Sequence, residues 1–111
     1  MSDAAYSLML LNALAGLATR LSVDGLAIYT VNYDYLAFGS WEIVAGRRQS
    51  RVWVSWDGKK ALLVARAARL ARAGDQPEWQ PIRELDFSKK RQDYAAIFAA
   101  AYAAIREHAG A

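Results

Sequence analysis

The sequence predicts a single α+β domain over residues 1–111: a helix, an antiparallel meander of three or four strands, and a second helix. Apolar residues recur at helical spacing near both ends of the chain, and apolar and polar residues alternate in the middle. A length of 111 residues suits one domain, and 55% hydrophobic with 23% charged residues is typical of a folded chain. Both helices are expected on one face of the sheet, which leaves the other face open.

The first helix is expected over residues 4–21, with Ser2 or Asp3 as its N-cap. Helical spacing arranges its apolar residues in two neighbouring stripes. The first stripe contains Leu10, Leu14, Leu17 and Leu21. The second stripe contains Leu8, Leu11, Ala15 and Ala18. Two apolar stripes require two partners, so the second is covered either by the core, which we prefer, or by another subunit.

This apolar segment is not expected to enter a membrane. The sequence Ala13-Leu14-Ala15 has the form of a signal cleavage site, but no basic residue precedes the apolar run and Asp3 has the opposite charge. Asn12 and Arg20 make the run too polar for a membrane span. Because the chain contains no cysteine and can form no disulfide, we expect a cytoplasmic protein.

Three strands are expected in the middle of the chain, over residues 26–36, 41–45 and 51–56. In the first strand, one face is expected to carry Tyr29, Val31, Tyr33 and Tyr35, and the other Ile28, Thr30, Asn32 and Asp34. In the third strand, the side expected to face the helices carries Val52, Val54 and Trp56, and the opposite side carries Arg51, Trp53 and Ser55. This alternation is typical of half-buried strands.

The element after the third strand has two interpretations. Asp57 and Gly58 form a hairpin signal, which favours a fourth strand over residues 60–66. The Ala, Leu and Arg residues of 60–73 also have the pattern of an amphipathic helix that ends at Gly74. We prefer the strand, with a helical continuation left open. Residues 74–87 contain two prolines and are expected to form a connection.

The last element is expected to be a helix capped by Ser88. Its residues at helical spacing are Tyr94, Ile97, Phe98, Ala101, Tyr102 and Ile105. Many of the intervening residues are alanines, which permit close packing against a sheet or another helix. This helix is therefore expected to supply a large part of the core.

The sequence offers few residues for catalysis, so we expect a non-enzymatic protein with no catalytic residue, metal site or cofactor. The only histidine, His108, lies near the C-terminus, where precise geometry is hard to hold. Asp34, Glu42 and Asp57 show no paired spacing, and the glycines form no phosphate-binding motif. The function classes that remain are those that work by binding.

The preferred hypothesis is a protein-interaction domain that forms a homodimer through the open sheet face or the first helix. The residues expected to bind the partner are Trp53, Arg51, Leu62, Val64 and Arg66. With Ile28 they form an apolar centre with a polar rim, which is typical of interfaces. Trp and Arg are also common interface anchors. Alternatively, the loop around Trp79 folds over this centre within the monomer.

The second hypothesis is nucleic-acid binding, because the net charge is +3 and the sequence pI is about 9.4. The basic residues proposed for this role are Arg47, Arg48, Lys59, Lys60, Arg69, Lys89 and Lys90. In this interpretation Trp53 stacks on a base while neighbouring arginines hold phosphates.

The start of the last helix resembles the end of a double-stranded-RNA-binding domain. The resemblance is carried by Ser88, Lys89 and Lys90, followed by the pair Ala95 and Ala96. In that family the corresponding lysines contact phosphates, but the match covers only about ten residues and the activity is not carried over to this chain. The chain departs from the family pattern because Asp93 stands where a further lysine is expected and residues 84–87 replace a glycine-rich loop.

Overall fold

The computed structural model describes residues 3–72 and 74–109. In chain order the elements are α1 (Asp3–Val23), β1 (Ala27–Asp34), the 3-10 helix η1 (Tyr35–Ala37), β2 (Ser40–Arg47), β3 (Ser50–Asp57), β4 (Leu62–Arg69), β5 (Gln80–Asp86) and α2 (Tyr94–Ala109). The strands form one antiparallel sheet in sequential order, with β1 and β5 at its edges. Both helices pack on one face. The predicted α+β class and helix–sheet–helix order are confirmed, but the sheet has five strands.

Helix α1 extends two residues beyond its predicted end, and the proposed N-cap Ser2 lies outside the described residues. The first predicted stripe is buried in the core: Leu10, Leu14, Leu17 and Leu21. The helix ends in a turn at Gly25, which has a φ of 89°. There the amide of Leu26 donates to the carbonyl of Leu21 at 3.0 Å, which directs the chain into β1.

Helix α2 lies over the middle of the sheet, in contact with β2, β3 and β4. Its inner side is formed by Ile97, Ala101, Ala104, Ile105 and Ala109, all buried. The small alanines allow close approach to the sheet, and Phe98 stacks on Trp41 with ring centroids 4.7 Å apart. The residues of β3 predicted to face the helices are buried as expected: Val52, Val54 and Trp56.

The predicted alternation along β1 is wrong at Ile28 and at Tyr29, because a bulge shifts the register between Ile28 and Thr30. Ile28 lies opposite Ala45 and Val31 lies opposite Ile43, both on the helix side of the sheet. The extra residue, Tyr29, instead contacts Arg51 on the opposite face. A bulge places two residues of one strand against one of its neighbour, so every residue after it is displaced by one face.

Among the described residues 58–72, the segment after β3 forms a turn and then strand β4, which decides between the two predicted alternatives. Strand β4 begins at Leu62, opposite Asp57, rather than directly after a two-residue turn. The Asp57 carboxylate accepts hydrogen bonds from the amides of Lys59 and Lys60, and Ala61 has a φ of 52°. This longer turn explains why the strand starts two residues later than expected.

The predicted connection over residues 74–87 contains the fifth strand, β5. Pro81 lies in this strand opposite Arg66, at a register shift between Ala65 and Arg66. A proline is compatible with an edge strand when its nitrogen faces away from the neighbouring strand. The two prolines therefore indicated a loop where the chain forms a sheet edge.

Helix α2 begins six residues after Ser88, so the predicted N-cap is wrong. Asp93 takes this role, since its carboxylate accepts from the amide of Ala96 at 3.2 Å. The Ser88 amide instead donates to Asp86 at 2.7 Å, in the turns that separate β5 from the helix. The apolar spacing predicted the position of α2 correctly, but Asp93 is a second possible N-cap and directly precedes the helix.

Two glycines should respond oppositely to replacement by alanine. A Cβ on Gly46 would lie 2.0 Å from the Ser50 carbonyl oxygen, whereas a Cβ on Gly16 would have no neighbour within 4 Å. We expect Gly46→Ala to lower the free energy of unfolding by about 1–3 kcal/mol because the hairpin backbone must move. Gly16→Ala should raise it by roughly 0.5–1 kcal/mol through helix propensity. Urea unfolding followed by circular dichroism tests both, and equal effects would contradict this packing.

Candidate functional site

The five predicted partner-binding residues lie together on the face of the sheet opposite the helices, called the outer face below. Arg51 and Trp53 lie on β3, beside Leu62, Val64 and Arg66 on β4. Trp53 is directly opposite Arg66, so the predicted grouping is reproduced. Ile28 is not part of it, because the bulge in β1 turns this residue toward the core.

Trp53 is partly covered within the monomer. Trp79 packs against it with ring centroids 5.6 Å apart, and the guanidinium carbon of Arg66 lies 4.5 Å from the ring centroid. The Trp53 side chain is half-buried, and its indole Nε1 has no hydrogen-bond partner. The apolar surface of this tryptophan is therefore largely used by contacts inside the chain.

Arg51 is a buried structural residue rather than a rim charge, with 7% of its surface exposed. Its guanidinium lies under the ring of Tyr29 at 4.0 Å. Its Nη1 donates to the carbonyls of Arg48 at 2.6 Å and Ser50 at 2.9 Å. These contacts clamp the β2–β3 turn, and they leave little of this arginine for a partner.

The part of the outer face formed by β5 is acidic. Glu84 lies opposite Val64, and Asp86 lies opposite Leu62. A hydrogen bond from the Ser88 amide lowers the pKa of Asp86, which keeps its carboxylate charged. The two apolar residues of β4 thus have carboxylates beside them, which disfavours the approach of a polyanion.

The basic residues proposed for nucleic-acid binding are divided between the two ends of the sheet. One end carries Arg47, Arg48 and Arg69, and the other carries Lys59, Lys60, Lys89 and Lys90. An eight-residue strand separates these ends by about 26 Å. Arg47 is also engaged, because its Nη2 donates to the Asp24 carbonyl at 2.7 Å. The structure does not unite these residues in one basic surface.

Two of the three carboxylates considered for catalysis, those of Asp34 and Asp57, have structural roles. Asp34 caps η1, since it accepts hydrogen bonds from the amides of Leu36 at 3.0 Å and Ala37 at 3.3 Å. Asp57 closes the β3–β4 turn. His108 lies 3.9 Å from the neighbouring Glu107. Within residues 3–72 and 74–109, no three histidine, aspartate or glutamate side chains form a group suited to a metal ion.

Every exposed large apolar side chain among the described residues lies between positions 8 and 38. These residues are Leu8, Met9, Leu11, Val23, Tyr29, Val31, Tyr35, Leu36 and Phe38. They belong to α1, β1, η1 and the turns beside them. The sequence interpretation missed the β1 and η1 members, although the apolar run at residues 35–38, which breaks the strand alternation, is a signal that could have identified them.

The second apolar stripe of α1 faces away from α2. On the α2 side of the helix, Arg20 lies 3.7 Å above the Tyr102 ring and Tyr6 contacts Tyr94. Helical geometry puts Leu8 and Leu11 on the other side, where they are 58% and 43% exposed. The preferred expectation that this stripe enters the core is therefore wrong for these two leucines.

The exposed side of α1 and the neighbouring parts of β1 and η1 form a surface that we call the apolar edge. It is defined by five exposed residues: Leu8, Leu11 and Ala15 of α1, Val31 of β1, and Leu36 of η1. The chain reverses after Val23, so the first half of α1 lies beside the second half of β1 and η1. A contact of the Leu10 side chain with Gly39 fixes this arrangement, since a Cβ on Gly39 would lie 3.3 Å from Leu10 Cδ1. The apolar edge is thus one side of the two-layer domain.

By length and composition alone, residues Ala5–Val23 of α1 could cross a membrane, with a mean hydropathy of 1.2. The side of this helix that carries the first leucine stripe is buried against the rest of the domain. The helix thus has one buried side and one exposed apolar side.

Comparisons with protein-family models, with curated proteins and with solved structures found no match to this chain. The local geometry also gives no support to the resemblance to a double-stranded-RNA-binding domain, because Ser88, Lys89 and Lys90 precede α2 instead of opening it.

A tyrosine pair that joins α1 to α2 should give a pH-dependent stability. Burial, with a hydrogen bond to the Tyr6 hydroxyl, raises the pKa of Tyr94 to about 12. The folded state thus holds the Tyr94 proton more tightly than the unfolded state. The stabilisation of the folded state by this proton is complete below pH 10 and is lost as the pH rises toward 12. Thermal unfolding from pH 9 to 12 should show this loss, and Tyr94→Phe should reduce it. An unchanged slope in the variant would contradict the assignment.

Proposed function

We propose that this protein is a non-enzymatic, cytoplasmic protein-interaction domain that works as a homodimer, with the apolar edge as the surface of contact. The observation that carries this proposal is that, among the described residues, the exposed large apolar side chains lie in α1, β1, η1 and the turns beside them. Soluble monomers rarely expose large contiguous apolar patches, and such patches usually mark an interaction site. The absence of cysteine agrees with a reducing compartment.

The scarcity of charged residues on the apolar edge favours an apolar partner. Between residues 5 and 23 the only charged side chain is Arg20, and its guanidinium is stacked on Tyr102 of α2. Strand β1 has one charged residue, Asp34, at its end. A surface without charge offers nothing to recognise phosphates or an acidic peptide, whereas it complements a second copy of itself.

The side of the domain that carries the apolar edge is large enough for a specific dimer. The 21 residues of α1 make a helix about 31 Å long. A helix layer on a strand layer is about 20 Å deep, so the side of the domain presents roughly 600 Å² in projection. Specific interfaces bury about 800 Å² of accessible surface per partner, which is the same scale.

The outer face is the less suitable of the two predicted contact surfaces. Trp79 and Arg66 already cover part of Trp53, and Arg51 is buried. Its remaining apolar residues, Leu62 and Val64, are half-buried beside carboxylates. We therefore favour the first helix over the sheet face as the site of self-association.

Nucleic-acid binding is the alternative function, supported by the net charge of +3. It requires the basic groups at the two ends of the sheet to act together. Fluorescence anisotropy with pooled RNA and DNA at low salt tests it, because binding to phosphates weakens steeply as salt rises. We expect no binding at low salt, and a salt-sensitive affinity lost in Arg48→Ala and Arg69→Ala would favour this alternative.

The apolar edge can be tested by placing the same charge on two sides of α1. Leu11→Glu buries a carboxylate in the proposed interface, so it should convert a dimer to a monomer and weaken association by at least about 100-fold. Gly16→Glu is the matched control, because position 16 is exposed on a different side of the helix and has open space around it. Light scattering after size-exclusion chromatography measures the mass, and circular dichroism verifies that both variants are folded.

Three outcomes would contradict the proposal. If the wild-type chain stays at the 12.3 kDa monomer mass at high concentration, it does not form the proposed dimer. A chain that remains monomeric but sediments with phosphatidylcholine vesicles, and loses this in Leu11→Glu, uses the apolar edge for lipid instead. A dimer that survives Leu11→Glu but not Trp53→Glu would move the interface to the outer face.

A further inference from the structure

We infer that β1 pairs antiparallel with β1 of a second copy, so that the sheets of the two subunits join into one continuous sheet. This inference rests on the proposed function and specifies the geometry of the dimer. It adds a backbone contact to the side-chain contact of the apolar edge. Pairing of edge strands is a common way in which chains join, because main-chain hydrogen bonds supply the contact.

The two edges of the sheet differ in how well they resist pairing. Strand β5 carries Pro81 together with the charged residues Arg83, Glu84 and Asp86. Prolines and charges on an edge strand prevent association with other strands. Strand β1 has the sequence AIYTVNYD, with no proline and a single charge at its last residue. Only the β1 edge therefore combines unprotected backbone with adjacent exposed apolar side chains.

The hydrogen-bonding direction of the β1 backbone follows from the register of the sheet. Leu70 donates to the Gln49 carbonyl at 2.8 Å, so odd-numbered residues at the start of β3 point toward β4 and even-numbered ones toward β2. In an antiparallel sheet the direction alternates along each strand and matches across each pair. Val44 consequently points toward Thr30 of β1. The next residue, Val31, directs its amide and carbonyl away from the sheet, as does Tyr33.

These outward groups define the register of the dimer. A two-fold axis through Asn32 places Val31 of one copy opposite Tyr33 of the other, and the reverse. Each such pair can exchange two hydrogen bonds, because its N–H and C=O groups face each other. The bulge at Ile28 and Tyr29 disturbs the earlier part of the strand, so regular pairing is confined to residues 30–34.

The same two-fold axis brings the two α1 helices together above the joined strands. The side of α1 that extends past β1 carries Leu8, Leu11 and Ala15, which would meet their counterparts across the axis. A small residue such as Ala15 permits close approach, since packed helices lie 8–10 Å apart. Paired strands lie about 4.8 Å apart, so helices 8–10 Å apart require each α1 axis to lie about 2 Å back from β1 toward α2. With that offset strand pairing and helix packing form together, and each buries surface that the monomer leaves exposed.

Replacement of Val31 by proline tests the strand pairing. Val31→Pro removes an outward amide that β1–β2 pairing does not use, and proline is tolerated at an edge strand. Val31→Ala is the control, because it removes most of the side chain but keeps the amide. We expect Val31→Pro to weaken dimerisation at least about tenfold relative to Val31→Ala, measured by sedimentation equilibrium.

Hydrogen exchange of the wild-type chain keeps the test decisive if Val31→Pro fails to fold. The amides of Val31 and Tyr33 should exchange at least about tenfold more slowly at dimer-forming concentrations than in dilute solution. The amides of Thr30 and Asn32, which face β2, should be protected at both concentrations and serve as internal references.

The possible outcomes separate this inference from the proposed function. A dimer that is lost in Leu11→Glu but equally stable in Val31→Pro and Val31→Ala would overturn strand pairing and leave the apolar edge as the interface. The same conclusion follows if the Val31 and Tyr33 amides exchange rapidly in the dimer. A chain that is monomeric at every concentration would overturn both proposals.

Discussion

Helix α2 packs across the middle of the sheet, where buried alanines let it approach β3 closely. Neighbouring helices are 8–10 Å apart, which is about two strand spacings. With α2 over β3, the other helix has room only over an edge strand, β1 or β5, and α1 contacts β1 and α2. One side of α1 is buried by this packing, while Leu8 and Leu11 extend past the edge. The central position of α2 thus produces the exposed apolar surface.

The outer face is stabilised in a different way, by aromatic and cationic side chains that cover one another. Tyr29 lies over Arg51, and both Arg66 and Trp79 pack on Trp53. These contacts bury much of the sheet surface without a helix layer, since each stacked pair shields an apolar ring and an arginine stem. A sheet face with no helix on it therefore need not be an interface. The exposed leucines Leu8 and Leu11 lie on the apolar edge and not on this face.

Periodicity was sufficient to predict the class of fold, the helix-facing residues of β3 and the buried stripe of α1, because each depends on a regular repeat. Three other features depend on single local events. No residue type in β1 indicates the bulge at Tyr29. Pro81 is allowed in β5 only because that strand is an edge of the sheet. Asp93, and not Ser88, is the N-cap of α2. The candidate site was predicted in part: the five outer-face residues lie together, but the exposure of Leu8 and Leu11 depends on where α2 packs.

The central claim, that two copies meet along α1 and β1, is tested most directly by isotope-filtered NMR on a mixture of labelled and unlabelled chains. Intermolecular nuclear Overhauser effects arise only between protons of different copies that are close in space. Such effects are expected from the methyl groups of Leu11 and Val31, and across the strands near Asn32. Intermolecular effects from Trp53 and Val64 without any from Leu11 would contradict it, as would a concentrated sample in which no intermolecular effect is seen.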